Sequence, residues 1–209
     1  MEWLNNNAQA ISAVTSICTL FVWLFYAQLL YYNFSRQRRP RVIINRGKGV
    51  GLDALCLVSN MSTESVYIQH VIAVLHTDSH DYHLDIVEYQ QQSDDDEEDC
   101  YRTHQGPLDS GDHIHLQSFG SIVNQIQNHW DVDQHSLEQS NLQLEIRVIA
   151  IYGPEDLPIG ASRRFDLAMN AEPNRQLVPT SIDTERLVSR RSRKRVVKWA
   201  KDIELHKAQ

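Results

Sequence analysis

The chain opens with a long apolar stretch that carries no charge. No residue between Trp3 and Ser35 is acidic or basic, and the 22 residues from Ile11 to Tyr32 are mostly apolar. As an α-helix this stretch would be about 33 Å long at ~1.5 Å per residue, enough to cross the hydrocarbon core of a bilayer. We therefore predict that residues 1–35 form a short stub and a transmembrane helix, whose anchoring side chains include Ile11, Leu20, Trp23, Phe25, Leu29 and Tyr32.

The apolar stretch is typical of a retained anchor rather than of a cleaved signal peptide. A signal peptide has a positive start, a shorter apolar region and a small-residue cleavage site. Here the chain starts with Met1, Glu2 and Trp3, and the stretch ends in aromatic residues such as Tyr31 and Tyr32. Amphipathic rings settle at membrane interfaces, which favours a helix that stays in the bilayer.

A basic segment after the helix predicts its orientation. Arg36, Arg38, Arg39 and Arg41 come directly after the span, whereas no Lys or Arg precedes it. Because basic flanking segments remain on the cytoplasmic side, we expect the N-terminus outside and the following domain in the cytoplasm. An odd number of cysteines fits a reducing compartment, and the lack of a eukaryotic sorting signal favours a bacterial inner membrane.

Small residues recur on one face of the apolar helix. Ala8, Ser12 and Ser16 are spaced by four positions, which permits close approach of a second helix. This pattern predicts a homodimer or packing on a partner helix. The alternative is an ordinary single-pass helix, because such spacings are frequent in membrane spans.

Beyond Pro40 the pattern changes to short runs rich in β-branched and aromatic residues, separated by turn-forming residues. We predict seven strands, at 41–45, 55–60, 66–76, 82–89, 113–119, 142–152 and 162–169. In the sixth run, the side chains from Leu142 to Ala150 alternate between two faces, of which only one needs to be buried. Few long helices separate the runs, so the strands should be antiparallel and form a two-sheet sandwich over residues 41–170.

One interruption of the β pattern predicts a helix. Ile122, Val123, Ile126 and Trp130 fall on one face of a helix over residues 120–130, which would cap an end of the sandwich. Residues 36–48 are then the basic juxtamembrane segment with the first strand, residues 171–185 a linker, and residues 186–209 a separate C-terminal helix.

A short motif carries a resemblance at the level of the fold. Residues 107–116 read Pro-Leu-Asp-Ser-Gly-Asp-His-Ile-His-Leu. The stretch resembles the turn-plus-strand pattern L-x-x-G-x-x-I of many immunoglobulin-like and fibronectin-like domains. The resemblance implies an all-β, immunoglobulin-like antiparallel sandwich. The chain lacks the Cys, Trp, Cys core of antibody domains, and no more specific family is indicated.

Composition and charge narrow the functional classes. The 209 residues are 42% apolar and 22% charged, which suits one globular domain with attached segments, and three cysteines are too few for a disulfide framework. The net charge of −7 hides a division, because residues 53–185 carry −19 while the flanks at 36–48 and 186–207 carry +6 and +7. No Ser-His-Asp order, phosphate-binding loop or nucleophile elbow occurs, so we expect neither an enzyme nor a cofactor.

Two clusters are candidate metal sites, each with a simpler alternative. Residues 93–99 hold six carboxylates, but without the EF-hand spacing such a run normally stays solvated. His76, His80 and His83 lie near one hairpin, and His113 and His115 share one face of a strand. With Asp112, the latter pair could form a three-ligand zinc site, but scattered surface histidines explain the pattern more simply.

The C-terminal segment carries the clearest functional signal. It is rich in Arg and Lys, and Val196, Trp199, Ala200 and Ile203 recur at helical spacing. Such a basic amphipathic helix can lie on an anionic membrane surface with its apolar stripe among the headgroups. A helix packed on the sandwich is the alternative, and membrane tethering disfavours nucleic acid as the target. The residues expected to contact lipid or a partner are Arg190, Arg191, Arg193, Lys194, Arg195, Val196, Lys198, Trp199 and Ile203.

These features together predict a single-pass membrane protein with a cytoplasmic sandwich. We expect it to act as a non-enzymatic adaptor or accessory subunit through contacts with an unidentified protein and with anionic lipid. The alternative is a metal-binding or pH-responsive sensor that uses the histidines, since imidazoles change charge near pH ~6.5.

Overall fold

The computed structural model describes residues 7–37, 39–49, 51–89, 102–132, 142–153, 155–169 and 175–207. The chain divides into two compact units, Met1–Arg39 and Pro40–Gln209, which are described separately. The acidic run at 93–99 and Cys100 lie outside the described residues.

The first unit is dominated by one helix, α1 (Ala8–Gln37). Its 27 residues from Ala8 to Phe34 are long and apolar enough to cross a membrane, as predicted. The predicted anchoring side chains, from Ile11 to Tyr32, are all exposed along this helix. A continuous apolar surface of this kind is stable against lipid or against another apolar surface, but not against water.

The second unit is mainly antiparallel β-structure. Its described strands and helices, in chain order, are β1 (Val42–Arg46), β2 (Leu55–Asn60), β3 (Val66–His76), β4 (Asp81–Asp85), β5 (Glu88–Tyr89), β6 (Arg102–Thr103), β7 (Gly106–Leu108), β8 (His113–Ser118), α2 (Phe119–Trp130), β9 (Leu142–Tyr152), β10 (Ile159–Met169), β11 (Arg175–Pro179), β12 (Glu185–Leu187) and α3 (Arg190–Lys207). The prediction of a β domain preceded by an apolar helix and followed by a C-terminal helix is confirmed.

Two sheets enclose the core. The small sheet has the order β1-β2-β8, and the large sheet has the order β11-β10-β9-β3-β4, with β12 also pairing with β10 and β7 with β3. The short strands β5 and β6 pair with each other. Buried residues from both sheets, such as Val58 and Ile146, join in one hydrophobic cluster. Their removal from water supplies the main stabilising term of the domain.

All seven predicted strands have a counterpart, and β2, β3 and β9 have the predicted bounds. The predicted run 82–89 is divided into β4 and β5. Four strands of two to five residues, β6, β7, β11 and β12, were missed, because an alternating pattern cannot be recognised over so few positions. Two of them, β11 and β12, lie in or next to the segment that the sequence indicated as a linker.

The predicted helix over residues 120–130 corresponds to α2. Ser118 caps its first turn by accepting a hydrogen bond from the Ser121 amide, and Ile122, Val123 and Ile126 are buried in the core as expected. Phe119, which we placed at the end of a strand, begins the helix and packs against Phe165. Trp130 departs from the predicted apolar face: it is 41% exposed, and its indole nitrogen donates to the carbonyl of His83.

Candidate functional site

The C-terminal helix α3 packs on the outer face of the large sheet, the face directed away from the small sheet. Val196 and Ile203 are buried there, with Trp199 and Ala200 packed beside them. The sheet contributes apolar side chains at its centre and edge: Ile72, Val74, Ile149 and Leu187. Ile149 lies on the face of β9 that the alternating pattern predicted to be exposed to solvent. In the structure, α3 covers this residue.

A glycine allows α3 to approach the sheet backbone. A methyl group built at Gly160 on β10 would come within 2.6 Å of a Val196 methyl carbon, which is closer than two carbon atoms can pack. The apolar stripe of α3 therefore fits tightly against the strand. The stripe is occupied by the sheet and is not available for insertion among lipid headgroups in this conformation.

We expect Gly160→Ala to lower the free energy of unfolding by about 1–3 kcal/mol, because the added methyl overpacks the contact with Val196. Gly153→Ala is the matched control, since nothing lies within 4 Å of a methyl group at Gly153. Chemical denaturation of both variants measures the difference. Equal stability of the two would show that α3 does not dock where the structure places it.

The predicted basic residues of α3 are divided between two environments. Arg193 is buried and forms an ion pair with Glu155, with 2.6 Å between the Arg193 Nη1 and the Glu155 carboxylate oxygen. Arg195 pairs with Glu185 at 3.0 Å in an exposed position. The exposed basic side chains form the solvent side of the helix: Arg190, Arg191, Lys194, Arg195, Lys198 and Lys201. We call this set the basic face of α3.

Next to α3, the large sheet holds a buried carboxylate surrounded by basic groups. Glu145 on β9 is 1% exposed, and its Oε2 atom contacts His76 at 3.1 Å, Arg147 at 2.8 Å and Arg164 at 3.3 Å. The guanidinium of Arg147 also stacks on the Trp199 ring, 4.7 Å from its centroid. Arg147 thus connects the Glu145 cluster with α3.

The basic groups stabilise the charged form of Glu145. Burial alone raises the pKa of Glu145, but hydrogen bonds from His76 and Arg147 and the charges of Arg147 and Arg164 outweigh it and lower the pKa to about 2. A buried carboxylate is expensive to leave unpaired, so the cluster acts as a unit.

His76 is held between two carboxylates. Its Nε2 atom faces Glu145 at 3.1 Å and its Nδ1 atom faces Asp81 at 2.7 Å. Only the imidazolium form can donate hydrogen bonds to both. The hydrogen bond to Glu145 raises the pKa of His76, burial opposes this, and Asp81 raises the pKa further.

This arrangement predicts the pH dependence of stability. Because the folded state raises the pKa of His76, its contribution is fully present below pH ~6.5 and is lost as the pH rises through the folded-state value. The contribution of Glu145 to stability has the opposite pH dependence. It is lost as the pH falls below ~4.5 towards the folded-state pKa of Glu145. Unfolding free energies from pH 4 to 9 should therefore decline above neutrality in the wild type. The His76→Gln variant should lack that decline, and an equal decline in both would contradict this role for His76.

A small cavity of about 220 Å³ lies between α3 and the large sheet. It is lined by polar groups of His83, Arg147 and Asp202, together with apolar side chains that include Ile72 and Trp199. Its volume is below that of ordinary small-molecule sites.

The other predicted histidines are distributed over the domain. His113 and His115 do share one face of β8, with ring centroids 4.9 Å apart, and Asp112 lies 4.0 Å from the His113 ring nitrogen. Within the described parts of the chain, no group of three His, Cys, Asp or Glu side chains could hold a metal ion. Cys56 is buried in the core, and burial raises the pKa of its thiol to about 12, so it is not an accessible nucleophile.

The predicted juxtamembrane and dimer residues are partly described. Arg39 and Arg41 are exposed, whereas the side chains of Arg36 and Arg38 lie outside the described set. In α1, the Ser16 hydroxyl donates to the Ser12 carbonyl at 2.8 Å. A partner helix is therefore not required to satisfy that hydroxyl, although the small-residue face can still pack closely.

Sequence reasoning found α3 and its basic face but missed the Glu145 cluster. Alternation along β9 does place Glu145 and Arg147 on one face, which was visible in the sequence. Their partners His76 and Arg164 come from β3 and β10, and only the strand registers bring them together.

Comparison of the chain with family models, curated proteins and solved structures found no significant match.

Proposed function

We propose that this chain is a single-pass membrane protein that acts as a non-enzymatic adaptor or accessory subunit. The observation that carries the proposal is the pairing of a long, exposed apolar helix with a β domain whose C-terminal helix presents six basic side chains to solvent. The apolar helix α1 supplies the membrane anchor. The domain supplies a folded surface for a protein partner. In this proposal α1 spans a bacterial inner membrane, with the N-terminus of the chain outside and the domain in the cytoplasm.

Anionic lipid is the second partner in this proposal. The basic face of α3 would contact headgroups through charge alone, because the apolar stripe of the helix is packed on the sheet. Each basic residue near an anionic surface contributes ~1 kcal/mol, and the effect is screened within a Debye length of ~10 Å at 0.1 M salt. Binding of the domain to anionic vesicles should therefore weaken steeply with added salt.

We further propose that the sandwich is of the immunoglobulin-like type. In immunoglobulin domains of the constant type, strands A, B, E and D form one sheet and C, F and G the other, and the variable type adds C′ and C″ to the second sheet. The observed orders β1-β2-β8 and β4-β3-β9-β10-β11 support an assignment as A-B-E and C′-C-F-G, with β8 as strand E, an additional edge strand β11 and no counterpart of strand D among the described residues of the small sheet. The proposal concerns topology only, since a sandwich of this type serves many unrelated functions.

Crosslinking and co-purification from gently solubilised membranes test the adaptor proposal. The full-length protein is compared with a version whose residues 1–35 are replaced by an unrelated span. Partners retained by both would support an anchored adaptor that binds through its domain. Partners lost with the native span would support a subunit that assembles through α1. Recovery of no specific partner with either protein would contradict the proposal.

One observation favours a second candidate, a pH-responsive module. His76 is poised between Asp81 and Glu145, and Glu145 in turn faces Arg147, which stacks on Trp199 of α3. Deprotonation of His76 would weaken a contact that reaches the C-terminal helix. If this candidate is correct, partner or vesicle binding should change between pH 6 and 8 in the wild type but not in His76→Gln.

The metal-binding form of the same alternative has its own test. Purified protein from metal-replete medium is analysed for zinc, copper and nickel. Less than about one equivalent of any of these would exclude a stoichiometric histidine site.

A further inference from the structure

The strand registers bring several turns together at one end of the sandwich. Val42, the first residue of β1, pairs with Asn60, the last residue of β2. Val66, the first residue of β3, pairs with both Leu108 on β7 and Tyr152 on β9. The chain therefore enters the domain at the same end as the β2–β3, β7–β8 and β9–β10 turns. We call this the tether end, comprising residues 40–42, 60–67, 107–113, 151–153 and 155–160.

A buried asparagine makes the tether end a well-defined surface. The Asn60 side-chain amide donates to the carbonyls of Glu64 at 2.9 Å, Leu108 at 2.9 Å and Asp109 at 3.2 Å. Its side-chain oxygen accepts from the Ser62 amide at 2.9 Å. One fully buried side chain thus connects two of the turns and restricts their movement.

The incoming chain is fixed to the same turns. The Arg41 amide donates to the Ser62 hydroxyl at 2.8 Å, and the Met61 amide donates to the Arg41 carbonyl at 2.7 Å. Pro40, one residue earlier, is buried. The position of Met61 is therefore determined by the point at which the chain enters the domain.

Exposed apolar side chains surround this point. Met61 and Leu157 lie in two different turns and are 57% and 43% exposed. Tyr67 and Ile151 are register partners on the outer face of the large sheet and are 41% and 45% exposed. None of the four belongs to the hydrophobic core.

Charges at the tether end are mixed. Arg41 is exposed, and the ion pair of Arg193 with Glu155 brings the first turn of α3 to the β9–β10 turn. Acidic groups such as Asp109 and Asp112 are also exposed. A surface that attracts a charged partner would carry an excess of one sign of charge. The tether end carries both signs, so its exposed apolar side chains are its distinguishing feature.

We propose that the tether end is a second membrane contact, in which Met61, Tyr67, Ile151 and Leu157 enter the headgroup region of the bilayer that α1 spans. The inference rests on the proposed membrane anchoring. Only residues 38–41 separate Gln37, the end of α1, from Val42, the start of β1, so the two are at most about 18 Å apart in extended chain, which keeps this end within reach of the headgroups. Apolar and aromatic side chains on turns are suited to the interface, where Tyr can keep its hydroxyl hydrated.

The test places an encoded environment-sensitive fluorescent amino acid in the full-length protein, reconstituted in vesicles of phosphatidylethanolamine and phosphatidylglycerol with a nitroxide-labelled headgroup lipid. Positions 61 and 157 report the tether end, and position 32 in α1 reports the anchor. Position 53 is the control, because Asp53 is exposed in the β1–β2 turn at the opposite end of β2, about 20 Å away at ~3.3 Å per residue.

The inference predicts that quenching at positions 61 and 157 approaches that at position 32 and is several-fold stronger than at position 53. Quenching at 32 with both tether-end positions matching position 53 would overturn the inference while leaving the anchoring intact. Absence of quenching at position 32 would overturn the proposed anchoring and, with it, this inference. Because the two reporter positions lie in separate turns, local misfolding at one does not decide the result.

Discussion

Glu145→Ala should lower the free energy of unfolding of the domain by about 3–5 kcal/mol, one of the two largest effects we expect. The substitution leaves His76, Arg147 and Arg164 facing one another without their shared carboxylate. Removing one member of a buried ionic cluster costs this much, because His76 and Arg147, which are largely buried, lose their compensation without regaining water. The measurement is chemical denaturation of residues 40–209 at pH 7.

Two further variants separate this effect from general sensitivity to charge removal. Glu145→Gln keeps the shape and part of the hydrogen bonding, so its loss should be smaller than that of alanine. Glu185→Ala breaks the exposed ion pair with Arg195 and should cost about 0–1 kcal/mol. A similarly small loss for Glu145→Ala would mean that the buried cluster does not form.

Val196→Asp should detach α3 from the sheet, with a loss of about 3–4 kcal/mol in the free energy of unfolding. Val196 is fully buried against Gly160 and Leu187 in an apolar cluster, so a carboxylate there would lose its hydration among apolar side chains. The released helix would lose its tertiary support and unfold locally, so that trypsin could cleave its backbone at the basic residues. The rate of tryptic cleavage after Arg193 therefore reports the detachment, because the substitution leaves the residues on either side of that bond unchanged.

The matched control for this variant is on the same helix. Leu205 is 67% exposed, so Leu205→Asp makes the same change of side chain without burying a charge. Its stability should stay within about 0.5 kcal/mol of the wild type, as for ordinary surface substitutions. If both variants release α3 equally, the helix is not held by the Val196 contact.

The long elements of this fold were predictable from local pattern. β9 has predicted and observed bounds of Leu142 to Tyr152, because eleven residues give enough alternation to define a strand. α2 and α3 were found by helical spacing. The short strands β11 and β12 were not, since they are defined by pairing with β10 rather than by their own sequence.

The packing partner of each apolar surface was less predictable from the sequence. The stripe of α3 was recognised, but the sequence left open whether it contacts lipid or the sandwich. One signal indicated the sandwich: Val71 to Leu75 are five consecutive apolar residues on β3, so both faces of that strand must be covered. Ile72 and Val74 are the residues that α3 covers.

The Glu145 cluster depends on tertiary pairing in the same way. Glu145 and Arg147 are two residues apart, but His76 and Arg164 are 69 and 19 positions away from Glu145 in sequence. No local rule brings them together, because only the order β10-β9-β3 makes them neighbours. The contacts of the Glu145 carboxylate with His76 and Arg164 were therefore beyond sequence reasoning.

Protease accessibility in oriented membranes tests the central proposal, a domain anchored by α1 on the cytoplasmic side. Trypsin is added to right-side-out and to inverted inner-membrane vesicles that contain the full-length protein, and the C-terminal domain is followed with an antibody. The account predicts digestion in inverted vesicles and protection in right-side-out vesicles, with the protein resistant to alkaline extraction. Digestion in right-side-out vesicles, or release by alkali, would contradict it.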